Sequence, residues 1–160
     1  MAVEYSSVAI QEVAANAPVI FTESPVPCMR GLVFHRDGSG MFLLSSYGAG
    51  SPYRCMCGCA NYRMPEVQYQ VEFHGNIAIP TGGTVEEIQL AIAIDGETDP
   101  NSIMRLTPAA VEEYDNVGTG IVVSVPAICR CSSISVRNIS TQPIEVQNAN
   151  ILIDRIGVTR

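Results

Sequence analysis

Between Val85 and Gly96, branched residues recur at every second position, Ile88, Leu90, Ile92 and Ile94, with Gln89, Ala91 and Ala93 between them. A period of two sends successive side chains to opposite faces of a sheet. The run therefore predicts a strand with four branched residues on one face and small or polar ones on the other. It ends in Asp95-Gly96, two residues that tolerate positive φ, which predicts a tight turn. A face lined by alanine is unusual against solvent, so another layer or another subunit is expected to approach Ala91 and Ala93 closely.

The same alternation recurs along the chain. Val67, Tyr69, Val71 and Phe73 predict a strand over 67–74, running past Gly75 to 79 and stopped by Pro80-Thr-Gly-Gly83. Two apolar runs around Asp37-Gly-Ser-Gly40 predict a hairpin over 31–45. A short strand is expected at 18–22, a return strand at 102–107, and further strands at 120–126, 132–140 and 144–156. Residues 108–114 are the one candidate for a helical turn. So many short strands with regular turn signals predict an all-β, antiparallel β-sandwich of the jelly-roll kind.

At 160 residues the chain is expected to be one domain. Residues 1–16 stand apart as an N-terminal extended arm, because Val3, Tyr5, Val8, Ile10 and Val13 make them too apolar for a solvated tail. A frayed terminus is the plainer alternative. Residues 17–160 then form the jelly-roll domain, carrying a Gly-, Pro- and Cys-rich loop at 46–65.

Composition excludes more than it assigns. Hydrophobic residues are 47% of the chain, but no apolar run reaches the roughly 18 residues that argue for a membrane span. The N-terminus lacks a basic region followed by an apolar core, so no signal peptide is expected. A net charge of −7 argues against a nucleic-acid partner. All nine basic residues are Arg, which suits bidentate interface pairs and equally reflects codon usage.

Candidate chemistry is sparse. Cys55, Cys57 and Cys59, with Cys129 and Cys131, follow a Cys-x-Cys spacing rather than the Cys-x-x-Cys of zinc knuckles. Alternate residues on a strand share a face, so three thiols could line one side. Reduced structural thiols, disulfides and a metal site all remain open for these cysteines and Cys28. His35 and His74 come with no nucleophile motif such as Gly-x-Ser-x-Gly, and a structural role is expected for both. His35-Arg36-Asp37 matches a kinase catalytic loop in three letters only. Glu86-Glu87 and Glu112-Glu113 are expected to be solvated. Asn138-Ile-Ser140 is a glycosylation sequon by letter. No enzyme activity and no cofactor are expected.

The segment 69–157 resembles the trimeric jelly roll of the tumour necrosis factor and complement globular-head superfamily, and in particular its bacterial and phage branch. The residues that carry the likeness are Ile88-Gln-Leu-Ala-Ile-Ala-Ile-Asp-Gly96 with a nearby Pro-Asn-Ser102, Ser133-Ile-Ser-Val-Arg-Asn-Ile-Ser140, and the closing Val146-Gln-Asn-Ala-Asn-Ile-Leu-Ile-Asp-Arg-Ile156. The resemblance implies a homotrimer. Ala91 and Ala93, with Ile151 and Ile153 on the closing strand, are the expected trimer interface, since burying such small-sided or apolar patches drives permanent association. The chain has no Gly-X-Y collagen stalk, unlike the spore-surface members of that branch. The resemblance thus points to a virion protein made in the host cytoplasm, most concretely a trimeric phage capsid decoration (cement) protein. Its partner would be the major capsid protein or another virion protein, reached through the arm at Val3, Tyr5, Val8, Ile10 and Val13. The alternative is a receptor- or glycan-binding head using Tyr47, Tyr53 and Tyr62. A metal- or redox-handling enzyme is the second rival, resting on the cysteines alone.

Overall fold

A computed structural model describes residues 2–28, 32–46, 66–126 and 131–159. The strands in chain order are β1 Ala2–Ser7, β2 Gln11–Val13, β3 Glu23–Val26, β4 Val33–His35, β5 Phe42–Ser45 and β6 Glu66–Ala78. They continue as β7 Ile88–Ile94, β8 Glu97–Thr98, β9 Met104–Leu106, β10 Asp115–Pro126, β11 Cys131–Asn138 and β12 Ile144–Thr159. Every ladder between them is antiparallel.

Alternation becomes burial where it was read. On β6, Val67, Tyr69, Val71, Phe73 and Ile77 are buried, Gln68, Gln70 and Glu72 half-buried and His74 exposed. On β7, Ile88, Leu90 and Ile92 enter the core. Asp95 and Gly96 both take positive φ, 51° and 89°, and turn the chain into β8. The hairpin forms as β4 against β5, with Phe34 opposite Leu43.

Two sheets of six strands result. The first runs β10-β6-β12-β1-β3, with β2 also paired to β12; the second runs β4-β5-β11-β7-β8, with β9 also paired to β7. Their inner faces share one core cluster. Cross-strand rows fill it: Tyr5, Ile151 and Phe73 stand side by side, as do Val3, Ile153, Val71 and Ile121. Each such row removes apolar surface from water at roughly 25 cal/mol per Å².

Three expectations change. Residues 108–114 form a turn with Glu112 at φ 58°, and the short helical turn lies at Pro100–Ser102 instead, capped by the Asp99 side chain. Proline at the start of that turn costs no hydrogen bond, because the first amides have no partner within a helix. Residues 18–22 make two isolated bridges, Pro18 to Arg137 and Phe21 to Ser39, rather than a strand.

The third change is the largest. Residues 2–7 are not an arm reaching for another chain; they form β1, inserted between β12 and β3 of the same sandwich. β2 extends the same connection along β12. Of the apolar side chains that seemed to need an outside partner, Val3 and Tyr5 find one at the far end of their own chain, opposite Ile153 and Ile151.

Candidate functional site

The expected trimer contacts are already occupied inside the protomer. Ile151 and Ile153 point into the core from β12 and are fully buried there. Ala91 and Ala93 are also 0% exposed, although they lie on the outer face of β7. Ala93 sits between Ser135 on β11 and Thr98 on β8, and Ala91 faces Arg137. The Arg137 guanidinium donates to the Gly96 carbonyl oxygen at 3.4 Å, so its long side chain runs along the alanine row.

The expected attachment residues divide. Val3, Tyr5 and Val13 are buried, whereas Val8 is 58% and Ile10 54% exposed. Both lie in the turn between β1 and β2. The Val8 carbonyl accepts a bond from Asn148 N–H at 3.3 Å, at a bulge in β12 where Asn148 takes φ 52°. Beside them, the Gln11 side chain holds both polar groups of the Ile20 backbone, donating to its oxygen and accepting from its N–H at 2.8 Å each. Ile20 is exposed as well, so three apolar side chains mark this corner.

A second exposed surface is the outer face of the first sheet. Gln68, Gln70, Glu72 and His74 alternate with the core residues of β6, and Gln70 donates to the Glu72 carboxylate. Next to them β10 presents Gly118 and Gly120. A methyl group on Gly118 would lie 2.6 Å from His74 Nδ1, and one on Gly120 3.4 Å from Glu72 Cγ. The bare backbone is what lets the imidazole lie across β10. Glu72, His74, Gly118, Thr119 and Gly120 line a shallow notch there.

The remaining candidates resolve into structure. His35 stacks on Phe42 (4.2 Å) and meets Tyr5 edge-on (4.8 Å). Its two ring nitrogens lie 3.1 Å from Met41 O and 3.2 Å from Phe21 O, tying the β4–β5 hairpin to the strand-like segment before β3. In the concavity at Asp95, Glu97 and Asp99, Asp95 accepts from Ser133 N–H (2.7 Å) and Asp99 caps Asn101 N–H (2.8 Å). Among the described residues no group of three or more His, Cys, Asp or Glu is placed to hold a metal. Asn138 is fully buried, so its sequon is inaccessible in the folded chain. Cys55, Cys57, Cys59 and Cys129, with Tyr47, Tyr53 and Tyr62, lie outside the described residues. Cys28 is half-buried and Cys131, the first residue of β11, is exposed.

Tyr69 joins the two sheets near those two cysteines. Its hydroxyl donates to Ser45 O at 2.5 Å, with Leu32 O 3.3 Å away. Burial pushes the phenol up to about 12; Arg155 opposes the shift and Cys28 and Cys131 add to it. A pKa raised above the ordinary 10 means that the protonated phenol stabilises the fold fully below pH 10, and that this is lost as pH rises through about 12. Tyr69→Phe is therefore expected to be about 1–3 kcal/mol less stable than wild type at pH 8, with the gap closing above pH 12. Urea unfolding at both pH values checks this, and a gap independent of pH would refute it.

No family model matches the chain, and no curated protein matches it. Among solved structures, the Eiger TNF of S. frugiperda aligns at a TM-score of 0.62 and 8% identity, covering 100% of this chain and 94% of that one. The fold is a TNF-like jelly roll. A family 35 carbohydrate binding module of Clostridium thermocellum also aligns, at a TM-score of 0.36 and 11% identity over 94% of this chain and 97% of that one, too distant to bear on the argument. The TNF-like match spans β1 to β12, so the N-terminal strand belongs to the jelly roll with the rest.

Proposed function

We propose that this TNF-like jelly roll is a non-enzymatic structural protein that works as a homotrimer, most concretely a decoration protein on a phage capsid. The observation that carries this reading is that the described strands β1 to β12 build one sandwich, with Val8, Ile10 and Ile20 left exposed at its surface. The arm is no longer the means of attachment, since β1 is a core strand. The corner of Val8, Ile10 and Ile20 takes that role, presented three times by a trimer. Weak single contacts then suffice, because linked sites gain roughly 10²–10⁴ over one alone.

The double substitution Val8→Asp with Ile10→Asp is expected to leave a folded protein of unchanged association state. Both side chains are more than half exposed, and surface changes of this kind usually stay within about 0.5 kcal/mol. Incorporation into particles should fall at least tenfold, read as copies per particle by mass spectrometry. Full occupancy by the double variant would move attachment elsewhere on the sandwich.

The outer face of β6 favours a second reading, a receptor- or glycan-binding head. Gln68, Gln70, Glu72 and His74 offer donors and acceptors that match hydroxyl groups. Copy number separates the two: hundreds per particle support decoration, and a handful supports the head. Absence of the chain from particles would end both virion readings.

A further inference from the structure

We infer that His35 is a proton-dependent clasp: as a doubly protonated imidazolium it fastens the β4–β5 hairpin to Phe21, and it loosens when the second proton leaves. This goes beyond the function proposed above and does not depend on it. Both ring nitrogens aim at backbone carbonyl oxygens, Nδ1 at Met41 O (3.1 Å) and Nε2 at Phe21 O (3.2 Å). A carbonyl oxygen only accepts, and a neutral imidazole has one N–H and one bare nitrogen. A neutral ring in this place therefore satisfies one carbonyl and turns a lone pair on the other. The imidazolium donates to both, and hydrogen bonds from a charged donor are the stronger kind.

Neighbouring contacts fix both the oxygens and the ring. Phe21 O also accepts from Gly38 N–H at 2.9 Å, and Met41 O from the Ser39 hydroxyl at 3.4 Å. One face of the imidazole stacks on Phe42 at 4.2 Å, and Tyr5 and Phe21 meet it edge-on at 4.8 and 6.4 Å. An aromatic face is itself a favourable neighbour for a cation. β4 has three residues and pairs with β5 alone among the described strands. The bond from its last residue to Phe21 is thus a large part of what fixes the hairpin to the rest of the sandwich.

Among the described residues, the elements packed on the ring bring few other titratable groups. β1 contributes Tyr5, whose phenol is pushed up by burial, with Cys28 and Asp37 adding to the shift, so it stays neutral while a histidine titrates. The turn after β4 contributes Arg36 and Asp37, both exposed, and Asp37 Oδ1 accepts from the Ser24 hydroxyl at 3.3 Å. Phe21, Met41 and Phe42 offer only their backbone and apolar side chains. A group that gains a proton on folding adds stability below the ordinary histidine range near 6.5, and that stability is lost as pH rises. The hairpin is held more firmly in mild acid than in mild alkali.

Ring nitrogen NMR shifts of the wild type test the charge state, with His74, the only other histidine, as reference. At pH 7 both nitrogens of His35 are expected to carry protons. One protonated and one bare nitrogen would overturn the inference, whether or not any variant folds. His35→Gln keeps an amide donor but cannot take the charge. In urea its unfolding constant should exceed that of the wild type about tenfold at pH 6 and by about threefold or less at pH 9. An equal gap at both pH values would reduce His35 to a packing residue and overturn the clasp. Asp37→Asn should leave the contrast between the two pH values in place. Its disappearance would assign the effect to that carboxylate and overturn the two carbonyls as the cause.

Discussion

Removing residues 1–7 is expected to unfold the protein. β1 lies between β12 and β3, paired residue for residue with Asp154 down to Ala149. Deleting it strips six residues of ladder from the centre of the first sheet and uncovers the row of Ile151 and Ile153. Val3 and Tyr5 leave the core with it, at roughly 1.5–3 kcal/mol each for the apolar area alone. Tyr5 also packs on Phe42 (5.0 Å) and on His35 (4.8 Å), contacts worth about 0.5–1.5 kcal/mol for an aromatic pair beyond area. The total approaches the roughly 5–15 kcal/mol that holds a domain together. The truncated protein should lack a cooperative thermal transition and dispersed amide signals. A truncated chain that melts within a few degrees of wild type would return residues 1–7 to the status of a detachable arm. In full-length protein, Tyr5→Ala should cost about 3–5 kcal/mol, as expected of an aromatic core residue.

Asn138→Ala is the next most damaging change. Asn138 is fully buried at the end of β11. Its Nδ2 donates to Val13 O at 3.0 Å and Gln142 O at 2.9 Å, and its Oδ1 accepts from Ser140 N–H at 2.9 Å. One side chain thus holds β2, the β11–β12 turn and the end of β11. Alanine leaves three backbone groups without that partner, at about 1–3 kcal/mol for each that stays dry. A loss of about 4 kcal/mol is expected, lowering Tm by roughly 8–16 °C for a chain of this size. Asn138→Asp should be worse at neutral pH, since a carboxylate would face the two carbonyl oxygens that now receive the amide. Calorimetry of both variants decides it, and a fall below about 1 kcal/mol would mean that water enters and replaces the amide.

The candidate surfaces were only partly legible beforehand. Val8 and Ile10 could be named as apolar residues needing a partner, yet Val3, Tyr5 and Val13 carry the same signal and turn out to be core. Hydrophobicity states that a side chain leaves water, not which chain receives it. Gly118 and Gly120 give no sign in the sequence that they clear space for His74 and Glu72 on the neighbouring strand.

Local pattern was enough to specify the β class and most strand positions. Alternation at 67–79, 88–94 and 144–156, and the Asp95-Gly96 turn, are properties of neighbouring residues, and the pleat converts them directly into an inner and an outer face. Pairing is a property of the whole chain. Nothing near Val3 or Tyr5 announces Ile153 and Ile151, because antiparallel ladders between the first and last strands are chosen by which faces complete the core. Ala91 and Ala93 show the same limit: their small size is written in the sequence, but β11, which pairs beside them through Arg137 and Ser135, lies more than 40 residues away. The tertiary structure alone decides which apolar residues are satisfied within the chain and which, such as Val8 and Ile10, stay exposed at its surface.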